Sequence, residues 1–335
     1  MRIVALEEHF SVPALARRID PEVIRSRGYR ARTPRSDGPN PLELLPDLGE
    51  RRLQSMAESG ITLQVLSNAG PGPDLVPGNE GADLSRALND HLAGAVRSRP
   101  DRLAGFASLP MATPDACPAE LTRCVKELGF LGALVNGTTA GLFLDHPSYD
   151  SLLSAAEDLD VPIYIHPHLP PEPVRQAYYS GGLPDGPARV LETAGWGWHQ
   201  ETAIHVLRLV LSGSLDRHPR LKLIIGHMGE MLPVMMARID QVFRDDVGHL
   251  KRPISRTILD HVFVTTSGIF TEPPFLAALQ TFGIDRLMFS VDYPFAPNAA
   301  GRTFLDRVAL SPADREKLAH GNADALLKIA TAGKN

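Results

Sequence analysis

The chain has 335 residues, 43% of them hydrophobic and 22% charged, enough for a sizeable core and unlike a disordered or collagenous protein. Its formal charge of -5 leaves no basic surplus to neutralise phosphates, which argues against nucleic acid as a partner. No apolar run of about 18 residues offers a membrane span.

Residues 1–10 (MRIVALEEHF) place an acidic pair directly after a short apolar run. That is wrong for a secretory signal, so a cytoplasmic location is expected. Short apolar β-type runs follow along the chain at residues 2–6, 62–66, 104–108, 133–135, 163–165, 222–225, 262–265 and 287–290. Between them, residues 48–59, 82–99, 114–128, 148–158, 201–212, 231–242 and 273–282 repeat apolar positions at three and four, the period of amphipathic helices. Residues 312–318 and a stretch near 322–330 read as two terminal helices. Cys117 and Cys124 share one predicted helix, so neither a local disulfide nor a CxxC clip is expected. Strand–helix alternation predicts a parallel sheet, and eight strands predict a closed (β/α)8 barrel, with a doubly wound open sheet as the rival. No fixed repeat supports a propeller or solenoid. One domain is expected over residues 1–335. Three Pro- and Gly-rich stretches, residues 11–47, 167–198 and 243–260, are too long for plain connections. The first two follow strands one and five, which puts them on the C-terminal rim, where barrel active sites lie.

Titratable side chains recur at the predicted strand ends: Glu7 and His9 on strand one, His166 on strand five, His227 on strand six and Asp292 on strand eight. Residues two apart on a strand share a face, so Glu7 and His9 point together while Glu8 points away. Any one such residue is ordinarily a capping or hydrogen-bonding group. Four strand ends that only a barrel makes adjacent are a different matter. Glu7, His9, His166 and Asp292 together form a ligand set for a divalent metal, with Zn or Mn favoured and Mg or Fe compatible. His227, across the barrel mouth from Asp292, is placed to hydrogen-bond it.

Other candidates carry a bland reading beside the functional one. His168 follows Pro167, which breaks strand geometry, so it reads as a loop or pocket-lining residue. His199 lies beside Trp196 and Trp198 in residues 195–201 (GWGWHQE), where the indoles are either plain packing or the wall of a pocket for a planar ring. Arg51 and Arg52 read as a solvated helix face with Glu50. Arg238, three helical turns past His227, is placed to brace the site through Glu230 or Asp240, or to form an ordinary surface ion pair. There is no phosphate-loop spacing and no GxSxG elbow.

Residues 7–9 (EEH), 166–167 (HP), 226–230 (GHMGE), 238–240 (RID), 265–268 (TTSG) and 290–295 (SVDYPF) resemble the amidohydrolase superfamily. More narrowly they are similar to its nonoxidative decarboxylases acting on γ-resorcylate, 2,3-dihydroxybenzoate and 5-carboxyvanillate. A more distant likeness is to 2-amino-3-carboxymuconate-6-semialdehyde decarboxylase. The resemblance spans nearly the whole chain and implies a (β/α)8 barrel with one metal. Binuclear members bridge two metals through a lysine ending strand four; residues 132–136 (GALVN) hold none. The resemblance further implies that Asp292 gives the proton in the reaction. It implies an aromatic pocket residue at Trp198, a pocket flank at Phe295, and a substrate carboxylate partner at Arg51 or Arg52. Ala296 and Ile269 stand where these decarboxylases often carry Glu and Asn, and both positions flank the family's pocket.

The expected function is therefore metal-dependent removal of CO2 from a hydroxylated aromatic or related unsaturated carboxylic acid, without an organic cofactor. Hydrolysis of a lactone or amide on the same barrel is the alternative. A decayed, noncatalytic barrel would have lost a ligand, and Glu7, His166 and Asp292 are all present. The resemblance also implies a homodimer or homotetramer.

Overall fold

The computed structural model describes residues 1–26 and 40–329. Part of the first rim insertion and the end of the last predicted helix lie outside these. Each predicted β-type run forms strand: β1 (Val4–Phe10), β2 (Leu63–Asn68), β3 (Leu103–Gly105), β4 (Ala107–Ser108), β5 (Ala133–Asn136), β6 (Ile163–His166), β7 (Leu223–Ile225), β8 (Val262–Thr265) and β9 (Leu287–Met288). All pairings between them are parallel. The ladder divides into β1-β2-β3 and β4-β5-β6-β7-β8-β9. Phe106 joins the two halves, because its N–H reaches Leu66 O on one side while Ala107 N reaches Gly132 O on the other. At the opposite seam, His9 N donates to Tyr293 O at 2.7 Å and Glu7 N to Ser290 Oγ at 2.6 Å. The fold is thus a TIM-barrel-like α/β ring of eight strand positions.

Inward side chains such as Val4, Leu6, Val65, Phe106, Ile224 and Met288 fill the barrel, and Ala323 and Leu327 from the terminal helix Asn322–Leu327 pack against them. A larger cluster fills the layer between strands and surrounding helices. One irregularity matters for the site. Ala5 pairs with Gln64 and Glu8 with Leu66, so Leu6 and Glu7 stand opposite the single residue Val65. Such a bulge re-aims side chains: Leu6 and Glu7 both face inward, although they are neighbours.

The predicted helices appear, with Glu50–Glu58, Gly78–Ser98 and Gly197–Leu211 among them, except that the one expected over residues 231–242 opens with a 3-10 turn, Leu232–Val234, and is α-helical only over Met236–Phe243. The short helices Glu172–Tyr178, Asp185–Glu192 and Ile254–His261 arise within the long Pro- and Gly-rich stretches, and the helix Asn298–Arg307 where the sequence reading assigned no element. Cys117 and Cys124 are buried free thiols, both raised by burial, Cys117 to about 12. Among the described residues no helix is long and apolar enough to cross a membrane.

Candidate active site

A polar layer caps the apolar barrel interior. Glu7, fully buried, accepts hydrogen bonds on Oε2 from Ser267 Oγ at 2.5 Å and from Tyr164 OH. Tyr164 and Ser267 are joined in turn through Thr265, at 2.8 and 2.7 Å. One carboxylate oxygen is therefore anchored, which aims the other. Oε1 stands 3.3 Å from His166 Nε2, 3.8 Å from His227 Nε2 and 4.0 Å from His9 Nε2. His9 Nε2 lies 3.2 Å from Asp292 Oδ1, and His227 Nε2 lies 4.0 Å from Asp292 Oδ2. The four strand ends singled out in sequence, with His227, converge on one point.

Whether a cation fits there turns on the donor atoms. Glu7 Oε1 and His9 Nε2 are buried and make no hydrogen bond to any described residue, a costly arrangement unless something else satisfies them. Glu7, His9 and His166 offer ligating atoms within 4.8 Å of one another. Burial drives the His166 imidazole down to about 3, outweighing the pull of Glu7, which keeps it in the neutral form that ligates metals. His9 is oriented by Ser67 Oγ, 3.2 Å from its Nδ1. The cluster is able to hold a single divalent metal.

The backbone around the mouth is strained. His227, Met228, Gly229, Glu230 and Met231 all have positive φ, from 48° to 89°, and Asp292 has φ 72°. For residues with a Cβ this left-handed conformation costs about 1–2 kcal/mol each, and such outliers gather at functional sites. Within this turn Glu230 Oε1 accepts from His227 Nδ1 at 2.8 Å and Oε2 from His199 Nδ1 at 2.6 Å. Burial opposes the charged form of His227, but Glu230 and Glu7 outweigh it and push the imidazole up to about 10. Two glycines shape the mouth: a Cβ on Gly226 would lie 2.4 Å from Glu7 Oε2, and Gly268, beside Asp292 Oδ2, holds φ 64°, a conformation that side chains with a Cβ rarely adopt.

Glu8 points away from the cluster, as parity predicts, and it clamps the seam. Its carboxylate accepts from Val291 N at 2.8 Å and Tyr293 N at 3.0 Å, and burial raises it to about 7 against those bonds. The reading of Arg52 as part of a solvated helix face is corrected. Arg52 is fully buried, and its guanidinium donates to Asp47 O at 2.9 Å, Gln64 Oε1 at 3.0 Å and His9 O at 2.5 Å. These bonds tie the first strand and β2 to the start of the helix Glu50–Glu58. Arg51 is exposed on the helix Glu50–Glu58. Arg238 is exposed on the helix Met236–Phe243, while Glu230 pairs with the two histidines and Asp240 with Ser255.

At the mouth, the Phe295 ring lies 5.5 Å from that of His9. Trp198, half-buried in the first turn of the helix Gly197–Leu211, keeps a buried indole N–H without a partner among the described residues. His168 is buried beside Gly137, whose Cβ would lie 2.6 Å from that of His168. The sequence reading missed Tyr164, which looks like an ordinary core residue of β6, and the pair Gly226 and Gly268. The TTSG and GHMGE motifs were their only signal.

Residues 13–329 match a family model described as Amidohydrolase. The chain is 38% identical to the gamma-resorcylate decarboxylase of Rhodococcus jostii, over 97% of this chain and 98% of that protein. It is also similar to the solved structure of 2,6-dihydroxybenzoate decarboxylase complexed with 2,6-dihydroxybenzoate. There the TM-score is 0.86 at 36% identity, over 98% of this chain and 100% of that one. A dihydroxybenzoic acid decarboxylase structure from Polaromonas sp. JS666, with bound manganese and the inhibitor 2-nitroresorcinol, gives a TM-score of 0.85 at 36% identity, covering 97% of this chain and 96% of that chain.

Proposed function

The chain belongs to the amidohydrolase family, and from that premise we propose that it is a metal-dependent, nonoxidative decarboxylase of a hydroxylated aromatic carboxylic acid. The observation that carries the reading is the convergence of Glu7 Oε1, His9 Nε2, His166 Nε2 and the Asp292 carboxylate, two of them buried and unsatisfied. The similar structures, with manganese or a dihydroxybenzoate bound, supply the chemistry to expect there.

Glu7, His9, His166 and Asp292 are assigned to hold one divalent ion, Mn or Zn before Mg or Fe. When bound, it supplies positive charge for the substrate's carboxylate and neighbouring hydroxyl and for the negative charge that develops on them. Asp292 is assigned as the proton donor. Its Oδ2, directed to the mouth and to His227, delivers a proton to the ring carbon that bears the carboxylate. The C–C bond to the carboxylate then breaks, its electron pair restores the aromatic ring, and CO2 leaves. Asp292 is left as a carboxylate to be reprotonated. His227, whose Nδ1 is tied to Glu230, presents Nε2 to Asp292 Oδ2 at 4.0 Å, where it is placed to return the proton. Trp198 and Phe295 form the walls that hold the ring flat.

A homo-oligomer, dimer or tetramer, is part of the reading. The two free thiols support a cytoplasmic location. The reading is tested by incubating the manganese- or zinc-loaded protein with a panel of hydroxybenzoates and, in parallel, lactones. CO2 release from a hydroxybenzoate is expected. Ring opening of a lactone with no CO2 from any acid would overturn it.

A further inference from the structure

His199 has no part in the reaction as drawn, yet it is bonded directly to the proton-handling machinery. Its Nδ1 lies 2.6 Å from Glu230 Oε2, its Nε2 lies 3.1 Å from Ala194 O, and its ring centroid is 5.1 Å from that of His227. Both of its partners can only accept, so both ring nitrogens donate. Glu230 is 1% exposed and spends one oxygen on each histidine. A carboxylate fixed at both oxygens cannot rotate. Its bond to His227 Nδ1 then sets the tilt of that ring, and with it the direction of Nε2 toward Asp292. The Ala194 contact ties the same chain to the rim segment that leads into Trp198.

We propose that His199 is a positioning residue for His227, acting through Glu230, and that the chain His199–Glu230–His227 couples the Trp198 rim helix to the proton donor. The proposal rests on the decarboxylase reading. The same three residues offer ligating atoms within 4.8 Å of one another. The facing atoms, however, are already paired at 2.6 and 2.8 Å, and both carboxylate oxygens are taken, so the geometry points to a hydrogen-bonded relay instead of a second metal centre.

The test uses the metal-loaded enzyme and its His199→Ala, His199→Asn and Glu230→Gln variants. His199→Ala is expected to lower kcat about tenfold or more, the usual loss for a residue that orients a working imidazole, with KM and metal content unchanged. The side-chain amide of His199→Asn can donate in place of Nδ1 and should restore most of the loss. In a Glu230→Gln background His199→Ala should add nothing, because the route through Glu230 is already cut. Additive losses, equal losses in the Ala and Asn variants, or a second metal equivalent that disappears with His199 would each overturn the proposal. A readout without substrate separates this from the function. The downfield proton resonance of His227 Nδ1–H, assigned by its loss in His227→Gln, should shift in His199→Ala and return toward its position in His199→Asn. An unmoved resonance overturns the proposal even if activity falls. A shifted resonance in an enzyme that releases no CO2 would overturn the decarboxylase reading and leave the relay standing.

Discussion

Nε2 of His227 stands 4.0 Å from Oδ2 of Asp292, and both residues hold left-handed backbone, with φ 48° and 72°. Neither has the freedom of glycine, so each pays for its conformation with packing elsewhere. What the two strained turns accomplish is to bring a histidine on the loop after β7 and an aspartate on the loop after β9 to face one another over the barrel mouth. Asp292 then has two distinct sides: Oδ1 toward His9 at 3.2 Å and Oδ2 toward His227.

The proposed ligand set separates His166 from its near neighbour. His166→Ala should lose metal and activity together, while His168→Ala, beyond Pro167, should keep about one metal per chain. Elemental analysis of the purified variants decides it. Equal metal loss in both would remove His166 from its assigned role, and two metals in the unaltered protein would overturn the mononuclear reading.

Gly226 is a test of Glu7 without touching Glu7. A methyl group there would sit 2.4 Å from Glu7 Oε2 and 3.2 Å from Tyr164 OH, so the anchored carboxylate must move. Gly226→Ala is expected to weaken metal affinity about 10–100-fold, as loss of a ligand's support does. A metal titration showing unchanged affinity would mean that Glu7 Oε1 is not a ligand.

Arg52 predicts a stability effect. Arg52→Ala leaves His9 O, Asp47 O and Gln64 Oε1 without their donors, and buried acceptors left unpaired cost about 1–3 kcal/mol each. A loss near 3 kcal/mol is expected in denaturant unfolding. Arg52→Lys should not restore it, since an ammonium cannot reproduce the three-way fork. Wild-type stability with a raised KM would instead return Arg52 to the substrate.

His205 carries a pH dependence away from the ligands. Its Nε2 accepts from Leu144 N at 2.9 Å, and burial lowers the imidazole to about 3. Between pH 6.5 and about 3 the unfolded chain binds a proton that the folded chain refuses, so stability is full above 6.5 and falls as the solution is acidified. The contribution is up to ~1.4 kcal/mol per pH unit. His205→Gln keeps an acceptor for Leu144 and should lose about 2 kcal/mol less than wild type between pH 6.5 and 5. Identical acid sensitivity in urea unfolding would contradict this.

The strands were legible because a parallel sheet covered on both faces must be apolar in continuous short runs. The helix Asn298–Arg307 was not, because Gly301 looks like a breaker. In the fold it lets the helix approach Val291 so closely that a Cβ would lie 2.9 Å from its Cγ2. The pairing of Glu7 with His9 came from parity, and it held because the extra residue of the bulge is taken up between Leu6 and Glu7, leaving the alternation through Glu8 and His9 regular. Arg51 and Arg52 differ by one step of helical phase, which sends one to solvent and buries the other; two adjacent arginines carry no sign of which. Tyr164 donates directly to Glu7 on β1 and is joined to Thr265 on β8, relations set by the barrel's closure and invisible along β6.

The two sides of Asp292 make its two assigned roles separable. In Asp292→Asn the carbonyl oxygen can take the place of Oδ1 beside His9, and the amide nitrogen then faces His227. An amide oxygen still coordinates a divalent ion, but an amide has no acidic proton to give to carbon. The variant is therefore expected to keep most of its metal and to bind a hydroxybenzoate while turning it over about 10²–10⁴-fold more slowly, the range for loss of a general acid. In D2O the wild-type enzyme should place deuterium on the ring carbon that carried the carboxylate, by transfer from the exchanged Asp292 carboxyl. Rate and metal content must be read on the same sample, because loss of metal alone would also slow turnover. If the variant, with its metal measured in place, ran near the wild-type rate, the proton would come from elsewhere, and His227 Nε2, the imidazole nearest that oxygen's side of the mouth, would be the group to replace next.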